Sequence, residues 1–262
     1  MAAKVNNPIS KQRAAARTRD MAPQSTRPGG VRRRSVRIPL EAGASVRGAV
    51  SAPARGPVRW VVLLGHGAGG TLDQPLLVAL ADGLAARGGL VLRYNFPYAE
   101  AGRKAPDRAP ALIATVAAAA RWLAARPQAS GVPLVLGGKS MGGRMASMLV
   151  ADAAETSPRA DGLLLVGYPL HPAGQPGKLR AEHLARIACP MLFLAGTRDP
   201  LCDLALLKPV LRRLGRRATL HVVEGGDHSF AIPKSRGVSA SDVAEELIET
   251  CARWLATLRR RR

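Results

Sequence analysis

The chain has 262 residues, nearly half of them hydrophobic, and a formal net charge of +21. One undivided core suits this length, and no apolar run approaches the roughly 18 residues of a membrane-spanning helix. The charge gathers at the ends: residues 1–37 hold ten Lys or Arg against Asp20 and Arg259–Arg262 add four, leaving +8 for everything between.

Residues 1–35, rich in Arg, Pro, Ser and Thr, read as a basic disordered tail, and 36–262 as a single domain. Such tails bind polyanions weakly and without sequence preference, so no specific nucleic-acid role is expected. The basic N-terminus carries no apolar segment of the kind a secretory signal needs. Cys189, Cys202 and Cys251 form no paired or C-x-x-C framework, which points away from structural disulfides and zinc and toward a reducing, cytoplasmic setting.

From Ser35 the text becomes regular. Ser35–Pro39 and Ser45–Val50 suit short edge strands around the Gly43 turn. Arg59–Leu64 is a continuous apolar run, hence a buried strand, closed by Gly65-His66-Gly67. Gln74–Arg87 places Leu76, Leu77, Leu80 and Leu84 at helical spacing and stops at Gly88-Gly89. Leu90–Tyr94 reads as a strand, Ala109–Arg126 as an Ala-rich helix ended by Pro127, Leu134–Gly137 as a strand and Met141–Ala154 as a helix. Gly162–Tyr168, Met191–Ala195 and Thr219–Val223 continue as strands, with helices at about Leu201–Leu214 and Ser239–Leu258. Buried strands alternating with helices imply right-handed crossovers and a mostly parallel sheet covered on both faces, a three-layer α/β/α sandwich. Binding and chemistry in such sheets collect at the loops beyond the strands' carboxyl ends.

Gly138-Lys139-Ser140-Met141-Gly142 matches G-x-S-x-G between an apolar strand and a helix, the context of a nucleophile elbow. Glycines two residues to either side of the serine let neighbouring backbone pass closely. The helix N-terminus presents unpaired N–H groups to developing negative charge. The rival P-loop reading of Gly138-Lys139-Ser140 requires glycine at position 133, which is Pro133.

Ser140, Asp199 and His228 each follow a different strand, in the chain order of a Ser–Asp–His triad. A serine hydroxyl needs a base within reach, and imidazole serves when a carboxylate fixes its tautomer. His228 in Gly225-Gly226-Asp227-His228-Ser229-Phe230 is then the base and Asp199 its orienter. Asp203 and Asp227 compete for that place, and Asp199-Pro200 also suits a helix N-cap. An oxyanion hole needs an N–H from the residue after the nucleophile and one from the loop after the first buried strand, which are Met141 and Ala68. His66 suits a brace for that loop, and Tyr168 and Phe96 suit pocket walls. Lys139, Arg144, Arg93 and His171 are candidates to hold an acidic substrate group.

Taken together, Leu64–Gly70, Arg93–Tyr98, Gly137–Arg144, Gly196–Asp199 and Gly226–Phe230 resemble the α/β-hydrolase superfamily over about residues 36–258. Within it they resemble the dienelactone-hydrolase-like branch and its KANSL-type and testis-expressed predicted hydrolases. The resemblance implies an eight-stranded sheet and a serine nucleophile with no cofactor or metal. Dienelactone hydrolases carry cysteine where this chain has Ser140, so their lactone substrate does not transfer. About twenty residues, His171–Pro190, separate two strands where many relatives insert a cap, so a minimal cap and an open site for small ester or acyl substrates are expected. The alternative is a non-catalytic protein of the same fold that works through its basic tails.

Overall fold

The computed structural model describes residues 30–152 and 159–260. The stretch 1–29 of the basic tail, residues 153–154 of the expected helix Met141–Ala154, and Arg261 and Arg262 lie outside the described residues. In chain order the elements are β1 (Val31–Pro39), β2 (Ser45–Pro53), β3 (Trp60–Gly65), α1 (Pro75–Ala86), β4 (Gly89–Tyr94), α2 (Pro97–Glu100), α3 (Ala109–Ala124), β5 (Leu134–Lys139), α4 (Met141–Ala151), β6 (Gly162–Val166), β7 (Met191–Gly196), α5 (Leu204–Leu214), β8 (Ala218–Val223) and α6 (Ala240–Thr257).

The strands form one eight-stranded sheet in the order β1-β2-β4-β3-β5-β6-β7-β8. β1 and β2 are antiparallel additions, and the six strands from β4 to β8 run parallel. Strand side chains alternate between two cores, the period-two pattern of a pleated sheet. Leu63, Leu136, Leu163 and Phe193 face α3, α4 and α5, where they join Val116, Met145 and Leu207. Val62, Val135, Leu164 and Leu192 face α1 and α6 and join Leu80, Leu247 and Leu255. The expected three-layer sandwich is the architecture observed. Between β6 and β7 the only helical piece is a single 3-10 turn, Glu182–Arg186, so the cap is as small as the sequence suggests.

Local chemistry explains the helix ends. Pro75 opens α1, and Pro110 sits in the first turn of α3, where a missing N–H costs nothing. α6 starts from a reciprocal capping box between Ser239 and Asp242.

The structure corrects several boundaries. β1 begins at Val31 rather than Ser35 and pairs with β2 all the way to Pro53, so part of the stretch read as tail is strand. Arg32, Arg33 and Arg34 hid it: on an edge strand charged side chains project into solvent while the backbone still makes its ladder. α5 begins at Leu204, not Leu201, because Asp203 is its N-cap and accepts from the Ala205 N–H at 2.7 Å.

Candidate active site

Ser140 stands between β5 and α4 with φ 50° and ψ −113°. Ser140 and Phe230 are the two non-glycine residues with positive φ among those described. Both lie in loops that carry triad candidates, and such strain persists only where surrounding structure enforces it. Gly138 and Gly142 provide that enforcement, since a Cβ at either would land on the Gly65 carbonyl of β3. Phe230 is held by its buried side chain, by its N–H donating to the Asp227 carbonyl at 2.9 Å, and by α6-side packing.

The three candidates meet. His228 Nε2 lies 2.9 Å from Ser140 Oγ, and His228 Nδ1 lies 2.8 Å from Asp199 Oδ2 and 3.0 Å from Oδ1. The Asp199 side chain is fully buried and His228 is about one-quarter exposed. Asp199 Oδ1 also accepts the Leu201 N–H at 2.8 Å, which fixes the carboxylate plane. With Nδ1–H donated to Asp199, Nε2 is left to accept from the serine hydroxyl, the tautomer a general base requires.

The competing carboxylates have other work. Asp227 Oδ1 accepts the N–H groups of Ser229 and Ala231, at 2.7 and 2.9 Å, and shapes the turn that presents His228. Asp203 caps α5, so the N-cap alternative for Asp199 is also settled. The hydrogen-bonded chain Ser140–His228–Asp199 is the triad arrangement of a serine hydrolase.

Residues 58–256 match the α/β hydrolase domain family. The chain belongs to the α/β hydrolase family. Solved structures of similar fold include a dienelactone hydrolase from Anabaena variabilis, at 19% identity over 88% of this chain and 99% of that one, with a TM-score of 0.67. An α/β serine hydrolase without lid from Xanthomonas campestris is 22% identical over 85% and 94%, with a TM-score of 0.64. A cold-adapted esterase from an Arctic intertidal metagenomic library is 23% identical over 86% and 94%, with a TM-score of 0.61. At these identities the likeness is one of fold.

Within this α/β hydrolase, the Met141 and Ala68 N–H groups have no acceptor among the described residues. Met141 is the first residue of α4, where no intrahelical acceptor exists. The loop around Ala68 is braced by His66, fully buried. His66 Nε2 accepts the Phe96 N–H at 3.1 Å, so Nδ1 carries the proton and donates to the Gly67 carbonyl at 2.8 Å. Burial holds its pKa below the ordinary value, so the ring stays neutral. Asn95 accepts the Leu72 N–H at 2.7 Å and donates to Glu100 at 2.8 Å, tying the same loop to α2.

The four cationic candidates separate. Arg93 donates to the Leu72 carbonyl and to Asp73, and is a loop brace. His171 accepts the Asp203 N–H at 3.3 Å and contacts the Pro172 carbonyl, a structural role near α5. Tyr168 and Phe96 belong to the core, with the Tyr168 hydroxyl donating to the Arg180 carbonyl at 2.6 Å. Arg144, one turn past Ser140, is half-buried, and its Nε has no partner among the described residues. Lys139 is 2% exposed; burial pushes its pKa down to about 8, against the opposing pull of Asp199 and Asp227. The one sequence signal for the burial of Lys139 is its position at the end of the alternating strand β5, near the triad's acid.

Proposed function

We propose that the protein is an esterase-like hydrolase that cleaves a carboxylic ester or related acyl bond through an acyl-enzyme. The observation that carries this reading is the unbroken hydrogen-bond chain from Ser140 Oγ through His228 to Asp199. Ser140 Oγ attacks the acyl carbonyl carbon while His228 Nε2 takes the hydroxyl proton. Asp199 stabilises the imidazolium through the Nδ1–H bond. The N–H groups of Met141 and Ala68 hold the tetrahedral oxyanion, and the positive end of α4 adds to them. Collapse breaks the bond to the leaving oxygen, which takes the proton from His228. Water, giving a proton to the same nitrogen, then attacks the acyl-serine; the bond from the acyl carbon to Ser140 Oγ breaks, Oγ takes the proton back from His228, and the carboxylic acid leaves.

The short connection between β6 and β7 places no lid over the site among the described residues, which favours small or surface-exposed acyl groups. Arg144, half-buried one turn past the nucleophile and in no ion pair among the described residues, is the candidate for an acidic substituent on the substrate, whereas the adjacent Lys139 is buried. Assignment to the dienelactone-hydrolase-like branch, and within it to the KANSL-type and testis-expressed hydrolases, rests on the resemblance carried by Leu64–Gly70, Arg93–Tyr98, Gly137–Arg144, Gly196–Asp199 and Gly226–Phe230. Weak polyanion binding by residues 1–29 belongs to the same proposal. So does a cytoplasmic setting, supported by three buried cysteines that form no disulfide among the described residues. No helix among the described residues is long and apolar enough to cross a membrane.

A panel of p-nitrophenyl esters from acetate to dodecanoate tests the reading. Hydrolysis of at least one short ester that Ser140→Ala abolishes is the expected result. A folded wild-type protein inert to the whole panel, with salt-sensitive heparin binding that deletion of residues 1–29 removes, would favour the interaction protein instead.

A further inference from the structure

A groove of about 450 Å³ runs between the C-terminal end of α3 and the antiparallel margin of the sheet. Its walls are apolar: Val36 on β1, Val50 and Ala52 on β2, Leu90 at the start of β4, and Trp122 and Leu123 on α3. A second hollow of about 350 Å³ shares Ala52, Leu90, Arg32 and Gln128 with it and extends it over Val58 and Val132. Leu90 begins β4 and Trp122 lies near the end of α3, so the groove opens at the amino ends of the parallel strands. The triad loops lie at the opposite, carboxyl ends, and no residue is common to both.

The rim is cationic. Arg32, Arg34 and Arg126 line the groove, and no acidic residue lines either hollow. Arg33, between the first two, also lines the groove, but its guanidinium is paired with Asp82 at 2.9 Å. Arg32 and Arg34 make no ion pair among the described residues. Arg126 lies over the Trp122 ring, 4.2 Å from its centroid, and donates Nε to the Trp122 carbonyl, which holds one cation at the groove wall.

An apolar trough with unneutralised cations along one edge has the complement of an amphiphilic anion. The chain's own segments do not meet that description. Residues 1–29 carry six Lys or Arg against Asp20, and a second copy at +21 would bring more positive charge. The volume suits a small molecule. We propose that this groove is a binding site for a single-chain fatty carboxylate, its chain along Leu90 and Trp122 and its carboxylate among Arg32, Arg34 and Arg126.

Trp122 supplies the probe, since Trp60 and Trp254 are buried elsewhere. Titrating the full-length protein with dodecanoate, below its micelle-forming concentration, should change the fluorescence saturably at one molecule per chain, and Trp122→Phe should abolish the response. Reversing two exposed charges in Arg32→Glu/Arg34→Glu should weaken binding about tenfold, with the melting temperature unchanged. Dodecanol and butyrate should each bind at least about tenfold more weakly, the first lacking the charge and the second the chain. The site is refuted by a non-saturating signal, by a response that survives Trp122→Phe, or by dodecanol or the double variant matching dodecanoate on the wild type.

Discussion

Replacing Lys139 by Met removes a buried ammonium that has no carboxylate within salt-bridge distance among the described residues. Its pKa falls from 10.5 to about 8 because burial outweighs the attraction of Asp199 and Asp227. That difference is worth about 3–4 kcal/mol at roughly 1.4 kcal/mol per unit, and it counts against the folded state wherever the amine is charged in both states. Below pH 8 the folded and unfolded chains both hold the proton and the whole penalty applies. Between pH 8 and 10.5 the unfolded chain binds more protons, so the stability contributed by this group rises with pH and the penalty fades. Lys139→Met should therefore be more stable than wild type by about 3–4 kcal/mol at pH 7, a rise of roughly 7–14 °C in melting temperature. The advantage should shrink to under about 1 kcal/mol at pH 10. Urea denaturation of both proteins at the two pH values reads the gap directly. An equal gap at pH 7 and pH 10 would mean that packing, not charge, separates the variants and would refute the reasoning.

Asp199→Asn keeps the hydrogen-bonding shape but allows the wrong imidazole tautomer, and kcat should fall by about three to four orders of magnitude with the melting temperature little changed. Gly142→Ala drives a Cβ into the Gly65 carbonyl; loss of ester hydrolysis together with a clear drop in thermal stability is expected. His66→Ala orphans the Phe96 N–H and loosens the Ala68 loop, so stability should fall by about 1–3 kcal/mol and kcat more than KM should suffer in steady-state kinetics. Because burial keeps His66 neutral in the folded chain, wild-type stability should also decline as pH drops below about 6.5, where the unfolded chain takes the proton first. That decline should be smaller in His66→Ala when both are melted from pH 7 to pH 5.

Strand alternation and glycine placement made much of this architecture legible in the sequence. The runs at Arg59–Leu64, Leu134–Gly137 and Met191–Ala195 are apolar on both faces because helices cover both sides of the sheet, and that is why their order and the loops after them could be read. Ser140 and Asp199 stood out because each follows such a run, and His228 because it sits in the Gly225-Gly226-Asp227 loop after the half-exposed edge strand β8. What distinguished Asp199 from Asp203 and Asp227 was not in the sequence. All three carboxylates lie in turns, and only the folded loop shows that Asp203 caps α5 and Asp227 shapes a turn while Asp199 meets the imidazole. Arg32–Arg34 concealed a strand because edge pairing is a backbone property that charged side chains do not forbid. Arg93 and His171 looked available for substrate because positive charge near a strand end is suggestive, yet both are consumed by backbone contacts that arise only when distant loops fold together. Lys139 is the sharper case, since a lysine in a glycine-rich turn reads as exposed and instead lies beneath the triad.

Fluorophosphonate labelling of the full-length protein, followed by peptide mass spectrometry, tests the central claim most directly, because the reagent needs a serine activated by its own histidine. A single stoichiometric adduct on Ser140 that His228→Ala suppresses is expected. A folded wild-type protein with no adduct on Ser140, or one labelled equally well without His228, would contradict it.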